Sequence, residues 1–310
     1  MEYREIGHTG MKVSNLSFGA SSLGGVFHSI KEEDGIEAVY TAVDNGINFI
    51  DVSPYYGYLK AEIVLGKALK HIDRNKYYLS TKVGRYGKDG KNYWDYSAEK
   101  TRESVYESLD RLNVAYLDII NVHDVEFADL DLLCKETIPA LVELKEKGIA
   151  KYVGITNLTL KHFKYIIDNV PAGTIDSVLS FCHYCLSDDA LVDYLDYFEK
   201  HKIGVINASP FSMGLLTERG APDWHPAPKP LQQLCRKAAE HCKSKGKSIE
   251  QLAIKYSISN PRIATTLFSS SRPAAVLQNI KWAEEPLDEE LLAEVFDILK
   301  SRHRDTWLNS

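Results

Sequence analysis

Short apolar runs alternate along this chain with longer stretches whose apolar residues recur about every 3.6 positions. The first run, 15–20, predicts a strand. The stretch 31–45 then reads as a helix, because Ile36, Val39, Tyr40 and Val43 share one face. Ser29 and Glu32 have the spacing of a capping box at its start, and Gly46 suits the left-handed residue after its last turn. The runs 47–53, 77–83, 116–123, 152–157, 175–184, 204–209 and 263–270 predict seven more strands. Helices centred near 65, 105, 141, 165, 195, 255 and 279 separate or follow them, with Ser97 placed to cap the third helix.

Eight strand–helix units predict an α/β fold, a closed (β/α)8 TIM barrel. An open doubly wound sheet would want a glycine fingerprint after the first strand, and 19–25 lacks that spacing. Three additions stand outside the units. Residues 3–14 read as an N-terminal β-hairpin that could plug the barrel's bottom. Residues 211–230, rich in Pro and Gly, read as a mouth loop, and two extra helices are expected over 231–245 and 288–302. With no boundary signal, residues 1–310 are expected to form one barrel domain.

Composition narrows the function classes. A net charge of −6 with no basic tract argues against a nucleic-acid surface. No apolar run approaches the ~18 residues of a membrane span, and the N-terminus has no signal-peptide core. Cysteines at 134, 182, 185, 235 and 242 are odd in number and irregularly spaced, which suits a reducing compartment; a cytosolic protein is expected.

Asp51, Tyr56, Lys82 and His123 fall at or just beyond the ends of strands two, three and four. Strand C-termini converge on one mouth of such a barrel. Singly, each residue has an ordinary structural explanation, such as an ion pair at the mouth. Together they can move a proton to or from a carbonyl oxygen without a metal. Tyrosine ionises near pH ~10, and a nearby ammonium favours the phenolate, so Lys82 is expected to acidify Tyr56. Asp51 would hold Lys82, and His123 would donate to the substrate oxygen. The set suits reversible carbonyl reduction. None of the four carries hydride, so a cofactor must.

The chain resembles the aldo-keto reductase superfamily over nearly its whole length. The hairpin, Asn-Phe-Ile-Asp51 with Tyr56-Gly57, Ser-Thr-Lys82, Asn-Val-His123, Gly154-Ile-Thr-Asn157, Ser209-Pro210 and Gln278-Asn279 occur in the family's order. The resemblance implies that Asp51, Tyr56, Lys82 and His123 are the catalytic tetrad, with Tyr56 the general acid/base. It implies that Thr156 and Asn157 hold the nicotinamide carboxamide, and that Ser209, Phe211, Ser269, Ser270, Ser271, Arg272, Gln278 and Asn279 contribute to the cofactor site. Members using NADP place two cations where this chain has Ser269 and Ala275, so NAD is expected. Arg272 is the one cation in 269–275 that leaves NADP open. The serines have a plainer role as caps for a helix starting near Pro273. Phe181 replaces a frequent glutamine and Ala208 a frequent aromatic, so Phe181 or Phe211 would cover the nicotinamide; Phe181 could equally be core.

The segments 18–25, 51–57 and 180–186 are most similar to family members that oxidise the anomeric carbon of an aldose. Phe27, Trp94, Tyr93 and Trp224 are candidate walls for such a sugar, alongside Tyr56 and His123; each has an ordinary packing role as the alternative. Related readings are L-fucose, a D-threo-aldose or pyridoxal as substrate, or a non-catalytic nucleotide-binding subunit. Cys182, His183 and Cys185 lack the second pair a closed zinc site needs, so no metal is expected. Partners are expected to be small molecules, with no obligate protein partner.

Overall fold

The computed structural model describes residues 1–25, 30–88 and 91–307. The hairpin pairs β1 (Tyr3–Glu5) with β2 (Lys12–Ser14). Eight parallel strands close a barrel: β3 (Leu16–Gly19), β4 (Phe49–Asp51), β5 (Tyr78–Val83), β8 (Leu117–Val122), β9 (Ala150–Asn157), β10 (Ser177–Phe181), β11 (Gly204–Ala208) and β12 (Thr265–Phe268), which returns to β3. Between β5 and the next helix lies a second hairpin, β6 (Arg85–Lys88) with β7 (Lys91–Trp94). That hairpin was not expected; it is short, and its residues give no run of alternating apolar positions.

The alternation of side chains along a strand explains how the barrel is filled. Phe49, Ile119, Leu179, Ile206 and Leu267 point inward near the bottom. There they meet Ile6, Met11 and Val13 of the first hairpin, which therefore plugs the barrel as expected. Fully burying a side chain of this size contributes about 1.5–3 kcal/mol, so the plug is a substantial part of the core. Towards the mouth the inward positions become polar: Asp51 lies two residues after Phe49, Ser80 and Lys82 share one face of β5, and Asn121 and then His123 follow Ile119 by two and four residues. The outward positions pack on helices. Thr81 donates to Glu62 at 2.6 Å, and Glu62, fully buried on the helix Lys60–Leu69, also takes the guanidinium of Arg111 at 2.7 Å.

Helix ends largely match the caps in the sequence. Ser97 accepts from the Lys100 N–H at the start of the helix Ala98–Leu112. Gly46 has φ +92°, as its place after the helix Glu32–Asp44 requires. That helix starts after Lys31 in extended backbone with no side-chain cap; Ser29, the expected cap, lies outside the described residues. The helix Ile138–Glu146 is preceded by a π-wound turn, Leu133–Thr137, next to Pro139, which has no N–H to give the ladder. The extra helices are Lys229–Ser244 and Glu289–Leu299. The strand expected over 175–184 stops at Phe181, because Cys182 turns left-handed at φ +64°. Among the described residues, no helix is long and apolar enough to cross a membrane.

Candidate active site

The mouth end of β4 turns sharply after Asp51. Tyr56 N–H donates to the Ser53 carbonyl, and Gly57 holds φ +62° against the backbone of Gly24. A β-carbon at Gly57 would overlap the Gly24 carbonyl, so this position favours glycine on two counts. The turn brings the half-buried Tyr56 ring against Lys82 and His123. Lys82 Nζ lies 4.9 Å from its centroid, and the His123 ring stands perpendicular to it at 5.7 Å. With Asp51 paired to Lys82, all four expected catalytic residues therefore meet in one cluster.

Lys82 is 1% exposed, which for an ammonium demands partners. It has an ion pair with Asp51 and donates to the Val52 carbonyl at 2.8 Å. Ser80 donates to Asp51 at 3.0 Å, and the Asn121 amide donates to Ser80 at 2.7 Å. Burial alone would lower the Lys82 pKa, but Asp51 and then Tyr56 raise it, so the ammonium keeps its proton. His123 is pushed well below its usual range by burial, then by Lys82 and Arg85, and stays neutral.

Tyr56 departs from expectation. Burial raises its phenol above its ordinary value near 10; Lys82 opposes this, while Asp51 and Asp124 add to it, and the net shift is upward. Lys82 limits the rise and does not reverse it. Desolvation wins because the phenolate, unlike the phenol, loses a hydration shell on burial.

An ion pair absent from the sequence reading closes one wall. Arg85, first residue of β6, pairs with Asp124 next to His123. Its guanidinium lies 3.9 Å from the Tyr55 ring centroid and 5.1 Å from that of Phe127. Asp124 sits at φ +46°, held by its N–H to Thr156 Oγ1 at 3.0 Å and by Tyr96, which donates to the carbonyls of His123 and Asp124. Trp94 packs on Phe127 at 5.3 Å, at the rim of this wall. Tyr93 is exposed and donates to Asp95; Trp224 is exposed and stacks on His225. Phe27 lies outside the described residues. Ser80 and Asn121 were legible, since each sits two residues before a tetrad member on the same strand face. Arg85 and Asp124 left no such periodic signal.

The expected cofactor residues line the other side of the mouth. Thr156 and Asn157 end β9; Asn157 accepts from the Glu126 N–H and donates to the Thr159 carbonyl. Ser209 is left-handed at φ +63°, and half-buried Phe211 follows it. Phe181 and Ala208, at the ends of β10 and β11, are also half-buried. Ser269 is tied to the turn after β3: its oxygen accepts from the Ser22 N–H at 2.9 Å and its hydroxyl donates to Ser22 Oγ at 2.7 Å. Ser270 accepts from the Arg272 N–H, Ser271 is buried and Arg272 is exposed. The helix Pro273–Glu284 starts here, aiming its positive end at the mouth. Gln278 is half-buried on it; Asn279 is buried, and its Oδ1 meets no donor among the described residues. An unpaired buried acceptor nearly two turns into a helix that starts at this turn fits a dinucleotide that brings a donor to Asn279 and phosphates to the helix N-terminus.

Cys185 Sγ contacts Cys182 O and Ser187, and His183 contacts Asp188; no group suited to hold a metal occurs among the described residues.

The model of the Aldo/keto reductase family matches residues 15–300. The chain is 46% identical to L-galactose dehydrogenase of Arabidopsis thaliana over 99% of its own length and 97% of that protein's. It is 33% identical to D-arabinose 1-dehydrogenase of Saccharomyces cerevisiae over 80% of this chain and 76% of that one. Among solved structures, the holo form of aldo-keto reductase AKR11C1 from Bacillus halodurans superposes with a TM-score of 0.81 at 26% identity, covering 100% of this chain and 99% of that one.

Proposed function

Because this chain belongs to the aldo/keto reductase family, we propose that it oxidises the anomeric carbon of an aldose, L-galactose foremost, to the lactone, using NAD. The observation that carries this reading is the convergence of Lys82 Nζ, the Tyr56 ring and the perpendicular His123 ring within 4.9 and 5.7 Å. The two named relatives are both sugar dehydrogenases. In the cell the reaction would serve ascorbate synthesis in the cytosol.

The sugar's C1 hydroxyl would sit between Tyr56 and His123. Tyr56 takes its proton, and His123, neutral, donates a hydrogen bond to the same oxygen as it becomes a carbonyl. Lys82 stabilises the phenolate that this requires, and Asp51 holds Lys82 in place. When bound, the nicotinamide supplies the acceptor for the C1 hydride. Asn279 and the 269–272 turn would hold the adenosine end. Ser269 and Ala275 offer no cation to a 2′-phosphate, and this supports NAD over NADP.

The test is a panel of aldoses with NAD and with NADP, followed by absorbance of the reduced cofactor. L-Galactose with NAD should give the highest kcat/KM, and Tyr56→Phe should abolish turnover while leaving dinucleotide binding intact. No oxidation of any aldose would refute the reading. A lead by L-fucose, a D-threo-aldose or pyridoxal would change the substrate and keep the chemistry, and a clear NADP preference would overturn the cofactor assignment.

A further inference from the structure

We propose that Ser53 is a positioning residue for His123, holding the neutral ring in the tautomer that carries its proton on Nε2. Ser53 Oγ lies 3.0 Å from His123 Nδ1, and both residues are buried, at 0% and 3% exposure, so no bulk water competes for either nitrogen. A hydroxyl has one proton to give and two lone pairs. One lone pair already accepts the Tyr55 N–H at 3.1 Å. That leaves the O–H and one lone pair for Nδ1, so the direction of this contact is set by which ring nitrogen carries the proton.

The opposite edge of the ring selects the tautomer in which Nδ1 accepts from Ser53. Asp124 Oδ2 lies 3.4 Å from Nε2, and Arg85 pairs with that carboxylate. An ionised carboxylate only accepts. A bare Nε2 would face it lone pair to lone pair, whereas Nε2–H faces it attractively. The contact is longer than a good hydrogen bond, so the Nε2 proton is weakly engaged and can turn to an oxygen entering the pocket. Burial, and then Lys82 and Arg85, disfavour a second proton on the ring, so the choice is between the two neutral forms. Tyr96 fixes the backbone on which the ring stands. This role rests on the functional reading in one respect only: His123 must face the reacting oxygen.

Long-range ¹H–¹⁵N spectra of the full-length protein, with the His123 signals identified by their loss in His123→Asn, read the tautomer directly. The proton is expected on Nε2. A proton on Nδ1 overturns the proposal, whether or not any aldose is turned over, so its failure is separable from failure of the functional reading. In kinetics, Ser53→Ala should lower kcat roughly ten- to a hundredfold, the range seen when the hydrogen-bond partner of a metal-bound imidazole is removed, with KM little changed. Ser53→Thr, which keeps the hydroxyl, should restore most of it. Ser53→Ala with wild-type kcat overturns the proposal; should that variant fail to fold, the wild-type spectrum still decides.

Discussion

Replacing Lys82 with Met tests the electrostatic account of the phenol most directly. The substitution keeps most of the side chain's volume and removes one charge 4.9 Å from the Tyr56 ring. At an effective dielectric constant of ~20, a unit charge at that distance favours the phenolate by about 3 kcal/mol. The phenolate fraction at neutral pH should fall accordingly. A more basic phenolate regains part of the loss, so aldose oxidation should drop roughly a hundredfold in kcat/KM. Dinucleotide binding, measured by fluorescence quenching, should remain and shows that the site is still folded. The variant also strands Asp51 in a buried position without its cation, which costs about 3–5 kcal/mol of stability. Lys82→Met/Asp51→Asn should recover much of that loss in a denaturant melt. Turnover of Lys82→Met within about threefold of wild type would refute the reasoning, because a charge this close and this buried must be felt by the phenol.

Because the Tyr56 phenol sits above its ordinary value near 10, it is protonated at neutral pH and its base form grows as pH rises. The rate of aldose oxidation should therefore climb by about tenfold per unit through the neutral and mildly alkaline range, and a falling profile would contradict Tyr56 as the base. His123, neutral well below its usual range, should add no second limb there. Arg111→Met removes the guanidinium from fully buried Glu62, leaving Thr81 as its remaining partner described above. Urea unfolding should show a loss of about 3–5 kcal/mol. Gly57→Ala forces a β-carbon onto a residue at φ +62° against the Gly24 carbonyl. It should cost about 1–3 kcal/mol and lower kcat by displacing the Tyr56 turn, both measurable on purified protein.

Much of the molecule was legible before any coordinate, because periodicity is a local property of the chain. Apolar runs placed Asp51 and His123 at strand ends, and the two-residue repeat of a strand puts Phe49 on the same face as Asp51 and Ile119 on the same face as His123, apolar below and reactive above. A turn signal at residues 8–10 marked the hairpin that plugs the bottom, and a helix centred near 279 was expected behind the cofactor turn. Tertiary structure decided what each reactive group meets. Arg85 and Asp124 come from different strand ends and become partners once the barrel closes. Ser53 reads as an ordinary strand-end serine until the fold sets it against His123 across 70 positions of chain. Whether Lys82 would outweigh burial at Tyr56 was likewise beyond the sequence. Attraction follows from which charges are present, but desolvation follows from how completely neighbouring elements cover the phenol, and that is known only after the chain has packed.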